Sequence, residues 1–170
     1  MSKQPVYRPV TRADSDRLQK LYREVAAFPG GIARRPDEIT SSWCDQVILH
    51  SSTRGISLAI EDEAGDFLAE IHGWKPGPEA FSHVIGDVTM AVHLSAQGKG
   101  LGRLILNGFI GEIRKKFPDV CRIELAVRES NRRAQELYAS VGFKREGVLE
   151  KRIVSAKGTL ESDYLMALVW

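Results

Sequence analysis

The segment Gln97-Gly98-Lys99-Gly100-Leu101-Gly102 constrains this chain more than any other. It joins two apolar stretches of different period. His83 to Leu94 reads as an extended strand, whereas Leu101 to Phe117 keeps Leu101, Leu104, Ile105, Phe109, Ile113 and Phe117 on one helical face. A strand that runs through a glycine-rich turn into a helix makes an anion site. The first N–H groups of a helix have no intrahelical acceptor, and the helix dipole favours negative charge there. Glycines let the backbone approach a phosphate closely, and the side chains of Lys99 and Arg103 can add charge-assisted contacts.

The rest of the chain supplies the frame for that turn. Val6 to Val10 reads as a short strand, and Thr11-Arg-Ala-Asp14 has the form of a capping box before a helix carrying Leu18, Leu21, Tyr22 and Val25. Pro29-Gly30-Gly31 ends that helix. Pro36 opens a second one with Ile39, Trp43 and Val47. Ile56 to Glu61 and Phe67 to Trp74 flank the turn Asp62-Glu-Ala-Gly65, a hairpin signal. After the long helix, Pro118-Asp119 is a break, Arg122 to Val127 alternates like a strand, and Asn131 to Val141 is helical with Gly142 as its stop. Phe143 to Val154 and Ser162 to Val169 close the chain as two strands around Ala156-Lys157-Gly158. The predicted order is β-α-α-β-β-β-α-β-α-β-β. A single α/β domain over residues 1–170, with a mixed and mostly antiparallel sheet and helices on both faces, is the packing this order favours.

Composition narrows the function classes. With 170 residues, 43% hydrophobic and 27% charged, the chain is long enough to bury a core without disulfides. A net charge of +2 gives no reason to expect nucleic acid or a polybasic membrane anchor. Met1 to Val10 has no signal-peptide pattern, and no run of ~18 apolar residues offers a membrane span. Cys44 and Cys121 lie far apart in apolar segments, so they read as reduced, buried filler of a cytoplasmic protein. The four histidines are scattered without metal-ligand spacing, and no metal is expected.

Phosphate-binding turns come in recognisable designs. The P-loop string GxxxxGK[ST] does not occur. The dinucleotide fingerprint GxGxxG fails as well, because Arg103 or Ile105 stands where its last glycine belongs. What remains is Q-x-x-G-x-G, which Gln97, Gly100 and Gly102 satisfy. That string resembles the pyrophosphate-binding motif of the GNAT superfamily of N-acetyltransferases. A second stretch resembles the same family in the segment after its fifth strand: Val127, Asn131, Ala134, Tyr138 and Gly142-Phe143 fit V-x-x-x-N-x-x-A-x-x-x-Y-x-x-x-G-F. The order of elements is also that of the family, so the resemblance covers nearly the whole chain.

The resemblance implies acetyl-CoA as cosubstrate and an amine as acceptor, with direct transfer in a ternary complex. It implies that a bulge splays the fourth and fifth strands, and that Val92 and Leu94, at the end of the fourth, offer backbone groups to the pantetheine arm. A backbone N–H near Val92 would polarise the thioester carbonyl. Gln97, Gly98, Lys99, Gly100, Leu101, Gly102 and Arg103 would hold the pyrophosphate. Asn131 would hydrogen-bond the pantetheine chain, although a plain helix cap would look identical in sequence, and Ala134 would contact the cofactor beside it. Tyr138 would protonate the departing thiolate, or else only fill its helix's apolar stripe. A catalytically silent acyl-CoA sensor on the same fold is the rival function.

The proton acceptor is less determined. A lysine-like amine of pKa ~10.4 costs about three units, or ~4 kcal/mol, to neutralise at pH 7, while an α-amine near ~8 costs about one. The resemblance points to a carboxylate on the fourth strand. Asp87 is the candidate, expected to share a strand face with Thr89 and His83 and to work through water. Glu70, His72 and Glu124 compete with it. The loops at 28–36, 75–82 and 155–161 would shape the acceptor pocket, with Arg34 or Arg35 available for a carboxylate or phosphate. Edge pairing of the last strands would support a homodimer.

Overall fold

The computed structural model describes residues 6–170; the first five residues, and with them half of the segment read for a signal peptide, lie outside the description. Seven strands form one sheet in the order β1-β2-β3-β4-β5-β7-β6. They are β1 Tyr7–Pro9, β2 Gly55–Glu61, β3 Phe67–Trp74, β4 Val84–Val92, β5 Arg122–Arg128, β6 Lys144–Val154 and β7 Leu160–Val169. Every neighbouring pair is antiparallel except β4 and β5, which run parallel. The helices are α1 Ser15–Ala26, α2 Ser41–Arg54, α3 Leu101–Lys116 and α4 Arg132–Val141. The mixed, mostly antiparallel sheet read from the pattern is therefore present, with each strand and helix in its expected place in the order.

Alternation within the strands sorts the core into two layers. On one face, Ile71 of β3, Val88 of β4, Ile123 and Leu125 of β5 pack with Ile105, Phe109 and Ile113 of α3 and with Tyr138 of α4. On the other, Ala59, Phe67 and Ala91 pack with Leu18, Leu21 and Tyr22 of α1 and with Cys44 and Val47 of α2. The second layer stops short. Helices α1 and α2 contact β2, β3 and β4. On β5 and β7, the residues that continue that face, Glu124, Ala126, Asp163 and Leu165, line an open cleft instead of a helix.

Several boundaries differ from the sequence expectation, each for a local reason. Asp14 does accept from the Thr11 N–H at 2.8 Å and its hydroxyl at 2.9 Å, but the box closes a short 3₁₀ turn before α1 begins at Ser15. Pro36 does not open α2. Pro36–Glu38 is a separate turn, and α2 starts after Thr40, whose hydroxyl accepts from Trp43 N–H at 3.1 Å. Ile39 is buried between them, and its carbonyl takes hydrogen bonds from Gln19 and Arg23 of α1. Leu94 is not at the end of β4. The strand ends at Val92, and Leu94–Ala96 is a 3₁₀ turn capped by the His93 side chain.

The most consequential irregularity lies within β4. Gly86 pairs with Trp74 and Thr89 with His72, so Asp87 and Val88 together stand opposite Gly73 alone. Asp87 has φ +51. This is a bulge, and aspartate is among the non-glycine residues that tolerate the left-handed region. It also breaks the expected face shared by His83, Asp87 and Thr89, since the alternation does not run through the extra residue. Gly73 admits the bulge: a Cβ there would sit 2.8 Å from Val88 and 3.1 Å from Phe109.

Candidate active site

The parallel pairing of β4 with β5 consists of Val84 with Arg122 and Ile85 with Ile123, and ends there. Directly after it comes the bulge. From Gly86 onward the two strands separate, and the gap opens into a cleft of about 1340 Å³. Its walls include the end of β4, the turn before α3, the start of α4, the loop between α1 and α2, and the bare part of β5 and β7.

At one end of the cleft lies the glycine-rich turn. Gly98 and Gly100 both have φ +80, a conformation that favours glycine, and Gly100 is the residue before α3. Ala96 and Gln97 N–H groups close the preceding 3₁₀ turn, and Leu104 N–H is bonded to Gly100. Between them, no N–H from Gly98 to Arg103 donates to a protein acceptor among the described residues. Such a row of free donors at a helix start is an anion cradle. Gln97 braces the turn, donating to the Val92 carbonyl at 3.1 Å and accepting from Arg133 at 3.0 Å. Arg103 donates to Ser140 at 2.8 Å, which ties α3 to α4.

Of the residues read from the sequence, Val92, Leu94, Gln97, Gly98, Gly100, Leu101, Gly102, Arg103, Asn131, Ala134, Tyr138 and Asp87 all line this one cleft. Lys99 is exposed and lies outside the lining. Asn131 is a helix cap: its Oδ1 accepts from Ala134 N–H at 3.2 Å, which leaves its amide N–H groups free. Arg132 and Arg133 add positive charge at the same end. The sequence reading gave them no part in the site; Arg133 reaches the turn before α3 through its bond to Gln97.

Tyr138, on α4, lines the cleft from the α3 side of the core. It is 7% exposed, packs its ring 5.7 Å from that of Phe143, and burial raises its pKa to about 12. The phenol is thus neutral and holds its proton across the physiological range. Its hydroxyl has no hydrogen-bond partner among the described residues, and it is not a sealed orphan.

The opposite end is aromatic and charged. Trp43 of α2 and Trp74 of β3 line it, with Arg34 over the Trp43 ring at 5.1 Å. Between the tryptophans lies His72, stacked on Trp74 at 5.5 Å with the planes 4° apart. His72 leans on a fully buried carboxylate. Glu70 accepts from Tyr22 Oη at 2.6 Å and from Ser57 Oγ at 2.6 Å, and its Oε2 is 3.0 Å from His72 Nδ1. On the bare strands, Arg122 holds Glu124 at 2.9 Å and Glu146 at 3.0 Å, which keeps the Glu146 carboxyl below its ordinary range. Asp163 of β7 is buried nearby, and desolvation raises its pKa. Asp87 is exposed at the bulge with no hydrogen-bond partner among the described residues. The sequence reading missed Glu146 and Asp163, because alternation marks which face they take and not what that face meets.

A glycine-rich turn with free N–H donors, a parallel pair that parts at a bulge and a buried tyrosine line one cleft. The sequence profile of the acetyltransferase (GNAT) family matches residues 16–143. The chain belongs to this family. It is therefore a GNAT acetyltransferase, and the same fold recurs in solved structures of low sequence identity. A GNAT-family acetyltransferase from Streptococcus pneumoniae aligns with a TM-score of 0.82 at 20% identity, covering 98% of this chain and 100% of that one. A ribosomal-protein-alanine N-acetyltransferase from Brucella melitensis aligns at 0.84 and 22% identity, covering 97% and 99%. A phosphinothricin acetyltransferase from Sinorhizobium meliloti, solved in complex with acetyl-CoA, aligns at 0.81 and 16% identity, covering 97% and 88%. No curated protein matches the sequence.

No helix among the described residues is long and apolar enough to cross a membrane. Cys44 is fully buried, and burial pushes its thiol up to about 11, so it is held protonated and is no nucleophile.

Proposed function

We propose that this GNAT protein moves the acetyl group of acetyl-CoA to a primary amine by direct transfer. The observation that carries the proposal is the continuity of the cleft: free N–H donors at one end, Tyr138 in the wall, and an aromatic, charged chamber beyond.

In this reading the cradle from Gly98 to Arg103 takes the pyrophosphate, with Arg132 and Arg133 at its rim. The pantetheine arm enters the gap where β4 and β5 part, along Val92, Leu94, Asn131 and Ala134. Unpaired strand backbone in that gap offers it the hydrogen bonds a neighbouring strand would make. The acceptor enters from the chamber of Trp43, Trp74 and His72. Its neutral amine attacks the thioester carbonyl, and Tyr138 donates its proton to the sulfur as the C–S bond breaks. No covalent intermediate is needed, and Cys44 is unsuited to form one.

Supporting the nitrogen acceptor are the neighbours named for N-acetylation of a ribosomal protein's alanine and of phosphinothricin. Asp87, at the bulge, is the exposed carboxylate at the mouth of the gap. In this reading it meets an incoming ammonium through water.

A panel of amino acids, polyamines, aminoglycosides and peptides, incubated with acetyl-CoA and read by thiol release, tests the proposal. Turnover on at least one amine is the expected result. Tight acetyl-CoA binding with no thiol release on any acceptor would replace the enzyme with a silent sensor.

A further inference from the structure

Tyr22, Ser57, Glu70 and His72 form a buried polar cluster to which acetyl-CoA binding gives no task. Glu70 is 0% and His72 1% exposed. Burying a carboxylate costs several kcal/mol unless hydrogen bonds replace its water. Here three donors converge on it: two hydroxyls at 2.6 Å and an imidazole nitrogen at 3.0 Å. A fold that needed only packing at this spot would hold it more cheaply with apolar residues.

The arrangement assigns the histidine's tautomer. Nδ1 lies 3.0 and 3.3 Å from the two Glu70 oxygens, so it carries the hydrogen and donates. Nε2 is then an unprotonated acceptor at the opposite edge of the ring. It has no protein partner, yet Arg54 Nε is the only partnerless side-chain polar atom sealed from solvent among the described residues. Nε2 is therefore open to the space its residue lines, which is the cleft. Trp74 stacked on one face and the edge of Trp43 at 6.1 Å hold the ring plane.

We propose that His72 Nε2, oriented by Glu70, is the group that takes the proton from the acceptor ammonium. The inference rests on the acetyl-transfer reading above. The other candidates are disposed otherwise. Glu70 is sealed behind Tyr22 and His72, and Glu124 is engaged by Arg122. Asp87 is free but exposed to water, and an imidazole is intrinsically the stronger base of the two side-chain types by about 2–3 units. The register places His72 beside Thr89, just past the bulge, where β4 faces the gap.

The step balances as follows. Nε2 takes one proton from R–NH3⁺, and the imidazolium is stabilised by the Glu70 carboxylate beside it. The freed lone pair forms the C–N bond to the acetyl carbon, and the C–S bond breaks. Sulfur receives the Tyr138 proton, while the nitrogen's surplus proton restores the phenol. His72 then returns its proton to solvent. One ammonium and one thioester become an amide, a thiol and a proton.

Tyr22 of α1 lies 3.4 Å from Nδ1 and Glu70 shares its strand; Cys44 of α2 packs in the same layer as Tyr22, and His50 of α2, Asp87 of β4 and Tyr138 of α4 line the same cleft. Tyr22, Tyr138 and Cys44 all have raised pKa values, so none of them gains charge between pH 6 and 9.

The test uses the best amine from the acceptor panel. His72→Ala should lower kcat about 10²-fold at pH 7, within the usual range for removing a general base, with the KM for acetyl-CoA unchanged. The deficit should shrink as pH rises and the acceptor arrives as free amine. Added imidazole should restore at least tenfold of the lost rate, because the vacated space opens to the cleft. Glu70→Gln should lower kcat about tenfold with the same KM, and Asp87→Asn should cost less than His72→Ala. If the Glu70 variant does not fold, the wild-type ¹⁵N imidazole spectrum still reports the tautomer, which should be Nδ1–H. A folded His72→Ala with the wild-type rate and pH profile would overturn the assignment while leaving the acetyl-transfer reading standing. An Nε2–H tautomer would overturn it too. A wild type that binds acetyl-CoA and turns over no amine removes both.

Discussion

Replacing Tyr138 with phenylalanine removes one oxygen from the lining of the cleft and leaves the ring packing against Phe143 in place. Two effects follow from the burial of this side chain, which is only 7% exposed and whose pKa that burial raises to about 12. The first is catalytic. A thiol leaves with pKa ~8.5, so full transfer from this phenol would be uphill by about 3.5 units, or ~5 kcal/mol. Tyr138 therefore acts by donating a strengthening hydrogen bond as the C–S bond lengthens, with its proton replaced in the same event. That places the benefit at the low end of general-acid catalysis, about 10²-fold in kcat, with acetyl-CoA affinity within twofold. The second effect is on stability. The folded protein holds this proton above pH 10, where the unfolded chain has lost it. The contribution is whole below pH 10 and is lost as pH rises through 12; at ~1.4 kcal/mol per unit the loss approaches ~3 kcal/mol. Tyr22, also buried and raised, titrates in the same direction in both proteins, so their difference isolates Tyr138. Thiol release measures the rate, and urea midpoints from pH 8 to 12 measure the stability. A Tyr138→Phe enzyme within threefold of the wild-type rate would refute the catalytic role. An alkaline stability loss identical in the two proteins would refute the burial argument.

Two other perturbations probe the ends of the same design. Gly98→Asp puts a carboxylate beside the free N–H groups, at a φ of +80 that aspartate tolerates better than most residues. It should weaken acetyl-CoA at least 30-fold (~2 kcal/mol) by calorimetry, with unfolding changed by about 1 kcal/mol. An unchanged affinity would remove the turn from the site. Asp14 is buried under Arg8 and the Thr11 donors, which hold its carboxyl far below the usual range. Its contribution is present above pH ~4 and lost as pH falls below it. Asp14→Asn should cost about 2 kcal/mol at pH 7, a figure reduced because Arg8 is 34% exposed, and should flatten the acid loss of Tm. A wild-type acid profile in that variant would contradict the assignment.

The sequence specified the frame well because the frame depends on local chemistry. Apolar period separates strand from helix, Gly142 at φ +109 stops α4, and the anion turn needs glycines at positive φ at Gly98 and Gly100. Those signals are carried by the residues themselves. What the sequence left open depends on pairing between distant segments. The bulge that parts β4 from β5 is set by Gly73 on another strand, and no periodicity within β4 marks Asp87 as the extra residue.

The same distinction explains the proton acceptor. Asp87 stood out because the resemblance points to a carboxylate on the fourth strand, whereas Glu70 and His72 were competitors on the third. Their roles become distinguishable only when Tyr22 from α1 and Ser57 from β2 are brought onto the same carboxylate. A residue's chemistry in this cleft is fixed by which of its atoms are already spoken for. Glu70 has its oxygens filled and can only orient; Glu124 is paired with Arg122; His72 has one nitrogen committed and the other left open. On that reasoning the acceptor end of the cleft should be read by its uncommitted groups. Arg34, held only against the face of Trp43, is such a group and is free to turn toward an anionic part of the acceptor.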